Sequence, residues 1–384
     1  MLNSPPNVGD KSRLAYLDSV RGIAAMGVVF SHFFLAYGFP RSISFWITNS
    51  PLHIFWDGFA AVSMFFVLSG FVLSAKYFSS PVPLPNYFFF AGARFVRIWI
   101  PFFATLAISF AMYTIFSSKN QFFTIESDWI RTFWTKDYSF ESLLKQTFLF
   151  QNSGENRLIP QDWTLTQELN LSLLLPAFVW IALRTTLGIF GLMLALMYWL
   201  KMPILTFHFV LGILLAKHRE AALVFLKSSA LRIIVFIFGL FFYTFRFSVP
   251  ILFPQLIPEH RIWYVTGIGS LLLLLFVLAE PRAQRLLCRP AVASLGAISY
   301  AIYLIHFSIL LVLAPRILFF LSSIGMADVN YLRFIGLIFY VAAVLISSHY
   351  FYVFIDGPSI GLARKILKTK GRGYFGGSNR ETAG

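Results

Sequence analysis

YLDSVRGIAAMGVVFSHFF, residues 16–34, opens the first long apolar run of the chain. Its length suits a helix crossing the hydrocarbon of a bilayer, which takes about 17–25 mostly apolar residues. Three of its side chains do not suit lipid: Asp18, Arg21 and His32. An ionisable group at the centre of a span costs roughly 2.5–3.5 kcal/mol, so each is a candidate for function. Arg21 and His32 are eleven residues apart, which at about 100° per residue returns to within roughly 20° of the same face and rises ~16 Å. Asp18 precedes Arg21 by three and shares that face. One stripe therefore leads from a charged pair at one membrane edge to an imidazole near mid-membrane. A quieter reading is also open, in which Arg21 snorkels with Asp18 as its partner and His32 bonds a neighbouring helix.

The rest of the chain agrees with a membrane setting. Of 384 residues, 58% are hydrophobic and only 12% charged, against about 45–50% and 25% in a soluble domain. A single cysteine, Cys288, leaves no partner for an internal disulfide and no Cys-rich metal site. There is no phosphate-cradling Gly-rich loop and no HExxH zinc motif. The N-terminal MLNSPPNVGDKSR carries no clear cleavage site after it, so no signal peptide is expected.

Apolar runs place ten candidate spans, near 14–37, 54–77, 97–116, 163–183, 186–200, 202–217, 231–247, 262–279, 291–314 and 331–355. The fifth and sixth are short and could form one re-entrant pair, giving eight crossings. The expected fold class is all-α, a polytopic membrane protein with both termini on one side. The domain plan is an N-terminal segment 1–13, a membrane domain 14–356 with a long loop 117–162, and a basic tail 357–384. In this arrangement nineteen of the 31 Lys and Arg fall on the side of the termini, which places that side in the cytoplasm. The net charge of +15 is thus read as membrane topology, with no nucleic-acid partner. The loop 117–162 is long for a plain connector and suits a lid or an inert surface loop equally. Its stretch FESLLKQTFLF suits an interfacial helix.

Further polar residues interrupt the later spans. Ser69 and Gly70 are a small pair that admits a close helix or a ligand. Arg94 and Arg97 lie three apart at the expected mouth of the third span, with Pro101 placed to kink it. Two guanidinium forks on one face suit a phosphate-bearing ligand, and plain topological charge accounts for them equally well. Glu168 stands about one and a half turns into the fourth span, as a packing partner for an arginine or as part of a site. In the ninth span Ser299, Tyr303 and His306 can share a face, with Tyr300 beside them. His306 enters from the same side as His32 and at much the same depth. Two histidines so placed suggest an acid–base site or a proton path, and no metal, since neither carboxylate nor Cys stands at ligand spacing.

Seven fragments, in order along the chain, resemble the acyltransferase-3 family of integral membrane O-acyltransferases. They are LDSVRGIAAMGVVFSH, GFAAVSMFFVLSGF, RFVRIWIP, WTLTQE, FVLGILLA, SYAIYLIH and YFYVFIDGP. Three positions depart from the family pattern: Ala61 for a Gly, Thr164 for a Ser, and Asp356 for a Glu. Charge and hydroxyl are kept, and no presumed catalytic group is lost. The chain is similar to the stand-alone form, without an added esterase-like domain.

The resemblance implies acyl-CoA, acetyl-CoA above all, as co-substrate from the cytoplasm. No tightly bound cofactor is implied. The other implied partners are membrane lipid and a carbohydrate or lipid-linked sugar as acceptor. It implies His32 as the catalytic residue, with Arg21 and Glu168 beside it, and Arg94, Arg97 and Arg21 as donor-binding groups. Ser69, Tyr300, Tyr303, His306 and Asp18 would position the acceptor or relay a proton. The implied location is the inner (plasma) membrane. The rival from another class is a transporter or flippase of a lipid-linked saccharide, which buried ionisable residues fit as well.

Overall fold

The computed structural model describes residues 15–38, 49–79, 86–116, 126–134, 138, 140–149, 158–199, 204–247 and 259–368. In chain order the helices are α1 (Ala15–Tyr37), α2 (Gly58–Ser79), α3 (Tyr87–Phe116), the short α4 (Asp128–Arg131) and α5 (Phe140–Thr147). They continue as α6 (Asp162–Arg184), α7 (Thr186–Trp199), α8 (Leu205–Lys217), α9 (Arg219–Phe225), α10 (Ser229–Tyr243) and α11 (Glu259–Ala279). The last are α12 (Pro281–Leu287), α13 (Pro290–Ala297), α14 (Ser299–Ser323), α15 (Val329–Phe351), a π-helical turn over Tyr352–Asp356, and α16 (Gly357–Lys368).

Among the described residues, seven helical runs are long and apolar enough to cross a membrane, and the pair α9–α10, bent by 114°, makes an eighth. Helices α7 and α8 are also apolar but run only 14 and 13 residues. At 1.5 Å per residue each spans about 20 Å, short of the ~30 Å hydrocarbon core. The Lys217 ammonium at the end of α8 donates to the Ala182 carbonyl at 2.6 Å and to Thr186 Oγ1 at 3.0 Å. The pair thus returns to the end of the bundle from which it left.

Three boundaries differ from the sequence expectation. The third span begins at Tyr87, not near 97, because Arg94 and Arg97 have protein partners and the helix carries them inside. The ninth, expected at 291–314, breaks into α13 and α14. The tenth does not stop at 355: the helical run continues from Val329 to Lys368, so part of the expected tail is helix. The segments 1–13 and 369–384, and parts of the loop 117–162, lie outside the described residues. The interfacial helix expected at 140–150 corresponds to α5.

Helix α14 is the hub. Every residue from 301 to 312 is buried, which explains why its sequence is apolar all round. It packs on α1, α3 and α15. By contrast Ile233, Phe238 and Phe241 of α10 are exposed, as suits a lipid-facing edge.

Two glycine contacts set the close crossings. A Cβ on Gly70 would lie 2.0 Å from the Phe209 carbonyl oxygen, and one on Gly212 would lie 2.0 Å from that of Val67. A Cβ on Gly22 would lie 2.6 Å from the Gly296 nitrogen, and one on Gly296 would lie 2.5 Å from the Asp18 carbonyl carbon. Backbones meet directly at α2–α8 and at α1–α13, so no side chain fits between them. We expect Gly212→Val to lower thermal stability in detergent by more than the roughly 1–3 kcal/mol of ordinary overpacking. A melting temperature equal to that of the parent protein would show that α2 and α8 are not in this contact.

Candidate active site

The site begins at Pro101. Having no N–H, it gives the Arg97 carbonyl no helical donor, and its ring crowds that turn of α3. The loosened turn faces α14, where the Tyr300 hydroxyl donates to the Ile98 carbonyl at 3.0 Å. Here α1, α2, α3, α6, the α13–α14 junction and α16 surround a cavity of ≈ 450 Å³. It lies at the end of the bundle where α1 and α3 begin.

Nine of the residues singled out in the sequence line it: Asp18, Arg21, Ser69, Arg94, Arg97, Glu168, Ser299, Tyr300 and Tyr303. The charges are paired. Arg21 holds Asp18 at 2.7 Å within one turn of α1, as their spacing suggests. Arg94 meets Glu168 at 3.4 Å, so this carboxylate is both a helix-packing partner and a cavity wall. Arg97 bonds the wholly buried Asp356 and also lies over the Tyr300 ring, 4.8 Å from its centre. The two arginines therefore do not form one free cationic face: each turns to a different carboxylate.

Asp356 was not among the expected site residues. It ends the π-helical turn, which adds a residue to the helical circuit and turns the carboxylate inward. A signal was present, since it is a carboxylate at the end of an apolar span and inside a quoted motif. Thr164 is a second such residue. Its hydroxyl donates to the Gln161 carbonyl at 2.8 Å, which leaves its oxygen to accept the Tyr303 hydroxyl proton.

His32 and His306 do not line this cavity. They lie beyond Tyr303, about 16 Å along α1 from Arg21. Their depths match, as expected, and they touch: His32 Nδ1 and His306 Nε2 are 2.9 Å apart. The network fixes the protons of the neutral pair. His306 Nδ1 lies 3.0 Å from the Ile302 carbonyl and 2.9 Å from that of Tyr303, and carbonyls only accept. Nδ1 of His306 thus carries hydrogen and Nε2 is an acceptor. His32 must then donate from Nδ1, which leaves the lone pair on its Nε2. The His306 carbonyl is itself held by the Tyr340 hydroxyl at 3.2 Å.

The ring of His32 is covered by aromatic groups. Trp129 of α4 lies 5.6 Å away and Phe307 meets it edge-on at 5.3 Å. The Ser127 hydroxyl, just before α4, donates to the Leu35 carbonyl at 2.6 Å, tying this part of the long loop to the end of α1. Trp129 was not foreseen as a neighbour of the histidines, because nothing in the local pattern of the loop says which helix it covers. Gly70, beside the cavity-lining Ser69, serves the α2–α8 contact. Ser69 alone of that small pair faces the site.

The acyltransferase domain profile of the acyltransferase 3 family matches residues 14–353. The chain belongs to the acyltransferase 3 family. No curated protein and no solved structure matches it significantly. The matched region takes in α1 through the first residues of the π-helical turn, and so almost all of the membrane bundle. In this acyltransferase the family-like fragments converge in space: LDSVRGIAAMGVVFSH, RFVRIWIP, WTLTQE and SYAIYLIH supply the cavity walls and the histidine pair.

Proposed function

We propose that this protein moves an acyl group, acetyl in the first instance, from acyl-CoA in the cytoplasm to a hydroxyl of a cell-surface or lipid-linked carbohydrate. The cell inner (plasma) membrane is its proposed location. The observation that carries the reading is the tandem of an arginine-lined cavity and, beyond Tyr303, a histidine pair with a directed lone pair. The cavity opens at the end of the bundle with the basic excess, which the positive-inside rule assigns to the cytoplasm.

In this mechanism the donor thioester enters among Arg21, Arg94 and Arg97. Nε2 of His32 takes the proton from the acceptor hydroxyl as its oxygen attacks the thioester carbonyl. The tetrahedral intermediate expels the thiolate, the C–S bond breaks, and the sulfur takes up the proton that His32 received. His306 holds His32 in the tautomer that makes this possible, much as a carboxylate orients the base in hydrolytic triads. Glu168, Asp18 and the tyrosines hold the cavity walls and their charges in place. A variant of this route is favoured by the separation of the histidines from the cavity. In it Nε2 of His32 itself attacks the thioester carbonyl, the C–S bond breaks and the CoA thiolate leaves. An acceptor hydroxyl on the far side then takes the acyl group from Nε2 as its proton passes to that nitrogen and from there to the thiolate.

The test uses purified protein with acetyl-CoA and a polysaccharide or lipid-linked sugar acceptor. Release of free CoA that depends on the acceptor is expected. Movement of the saccharide across vesicles without release of CoA would replace this reading with the transporter.

A further inference from the structure

The charges of the cavity do not cancel. Four arginines line it: Arg21, Arg94, Arg97 and Arg364. The first three are held by Asp18, Glu168 and Asp356. Arg364 has no hydrogen-bond or ion-pair partner among the described residues. The surplus of one positive charge therefore resides on Arg364, which is exposed at the cavity wall.

Its position is built, not incidental. Arg364 and Ile360 stand four apart on α16 and both line the cavity. Ser359 and Ala363, on the neighbouring face, are buried, and α16 packs along α3. The Ser359 hydroxyl donates to the Asp356 carbonyl at 2.7 Å, so α16 is registered to the same residue that pairs with Arg97. The face that presents Arg364 is thereby fixed relative to the arginines inside.

We propose that Arg364 binds a phosphate of the acyl donor at the cavity mouth, while Arg94 and Arg97 stay with their carboxylates and flank the thioester arm. This rests on the acyl-CoA reading above. An incoming anion gains most where no carboxylate competes for the cation. Breaking the Arg97–Asp356 pair would leave the wholly buried Asp356 carboxylate uncompensated. Arg364 meets a phosphate at no such cost and offers a bidentate fork. The ≈ 450 Å³ cavity takes the thioester arm, and the phosphate-bearing end lies outside it, beside α16. A phosphate on a lipid headgroup has the same chemistry, and the test separates the two.

The test is equilibrium binding of CoA and of acetyl-pantetheine, which lacks the phosphates of the nucleotide, to wild type, Arg364→Ala and Arg364→Lys. It is run in detergent free of anionic lipid and again in vesicles with anionic lipid. We expect Arg364→Ala to weaken CoA about tenfold or more in detergent, to leave acetyl-pantetheine unchanged, and Arg364→Lys to recover part of the loss. Steady-state rates should show a raised donor KM with kcat and acceptor KM retained. Equal CoA affinity in wild type and Arg364→Ala would overturn the proposal. So would an equal loss for both ligands, which means a structural role, or a loss seen only with anionic lipid, which assigns Arg364 to headgroups. If wild type binds no CoA in detergent, the acyl-CoA reading itself fails and this assignment fails with it.

Discussion

Replacing His32 by Ala is expected to lower kcat for acyl transfer by about 10³-fold or more while the protein still folds. A positioned general base contributes about 10²–10⁴-fold, and a nucleophile that carries the acyl group contributes at least as much. The bundle should survive because His32 makes one side-chain hydrogen bond, to His306, and its ring is only partly buried. His306→Ala removes a positioning residue: His32 Nδ1 loses its acceptor and the Nε2 lone pair is no longer enforced. Its kcat should fall less, about 10–100-fold, with a changed pH–rate profile, which a merely structural role would not move. Rates are compared in membranes containing equal amounts of each variant. A His306 variant weaker than the His32 variant would move the acid–base role to His306. Labelled acetyl-CoA without acceptor separates the two routes, since only the carrier route leaves label on wild-type protein and none on His32→Ala.

The second large effect is expected at Arg97 and Asp356. Asp356 is wholly buried; its Oδ1 accepts from Arg97, and its Oδ2 has no hydrogen-bond partner among the described residues. Asp356→Ala leaves a guanidinium in the bundle without its counter-charge, and Arg97→Ala leaves a buried carboxylate. Each should cost about 3–5 kcal/mol, read as a fall in detergent melting temperature. The double variant should lose less stability than the two single losses added together, because it removes both charges at once. The cycle should give a coupling of about 1–3 kcal/mol. Additive losses would show that the pair does not exist in the folded protein. Asp356→Glu should come nearest to wild type, since it keeps the charge at the price of one methylene.

Much of this protein is legible along the chain. The 3.6-residue period puts Asp18, Arg21 and His32 on one stripe, and the same arithmetic sets His306 at the depth of His32. Apolar length finds every crossing helix, because in hydrocarbon the backbone must satisfy its own hydrogen bonds and only a helix of sufficient length does so. The α1 ion pair is equally local, its partners standing three positions apart.

What tertiary structure decided is who meets whom. Arg94 finds a carboxylate 74 positions away, Arg97 one at 259, and His32 an imidazole at 274. No local period encodes such distances, because they depend on which helices become neighbours. The neighbours are set by glycine crossings such as Gly22–Gly296 and Gly70–Phe209. Two arginines that read as one cationic face are divided between Glu168 and Asp356 once the helices pack. The ring nitrogen of His32 that bears the lone pair is chosen by two backbone carbonyls on another helix. Arg364, which reads as part of a basic tail, becomes a wall of the cavity because the last span does not end where its apolar run does. Sequence alone determined the helices, their polar stripes and the set of groups available for chemistry. Packing determined their pairing, since the direction of a proton and the partner of a charge exist only between elements brought into contact.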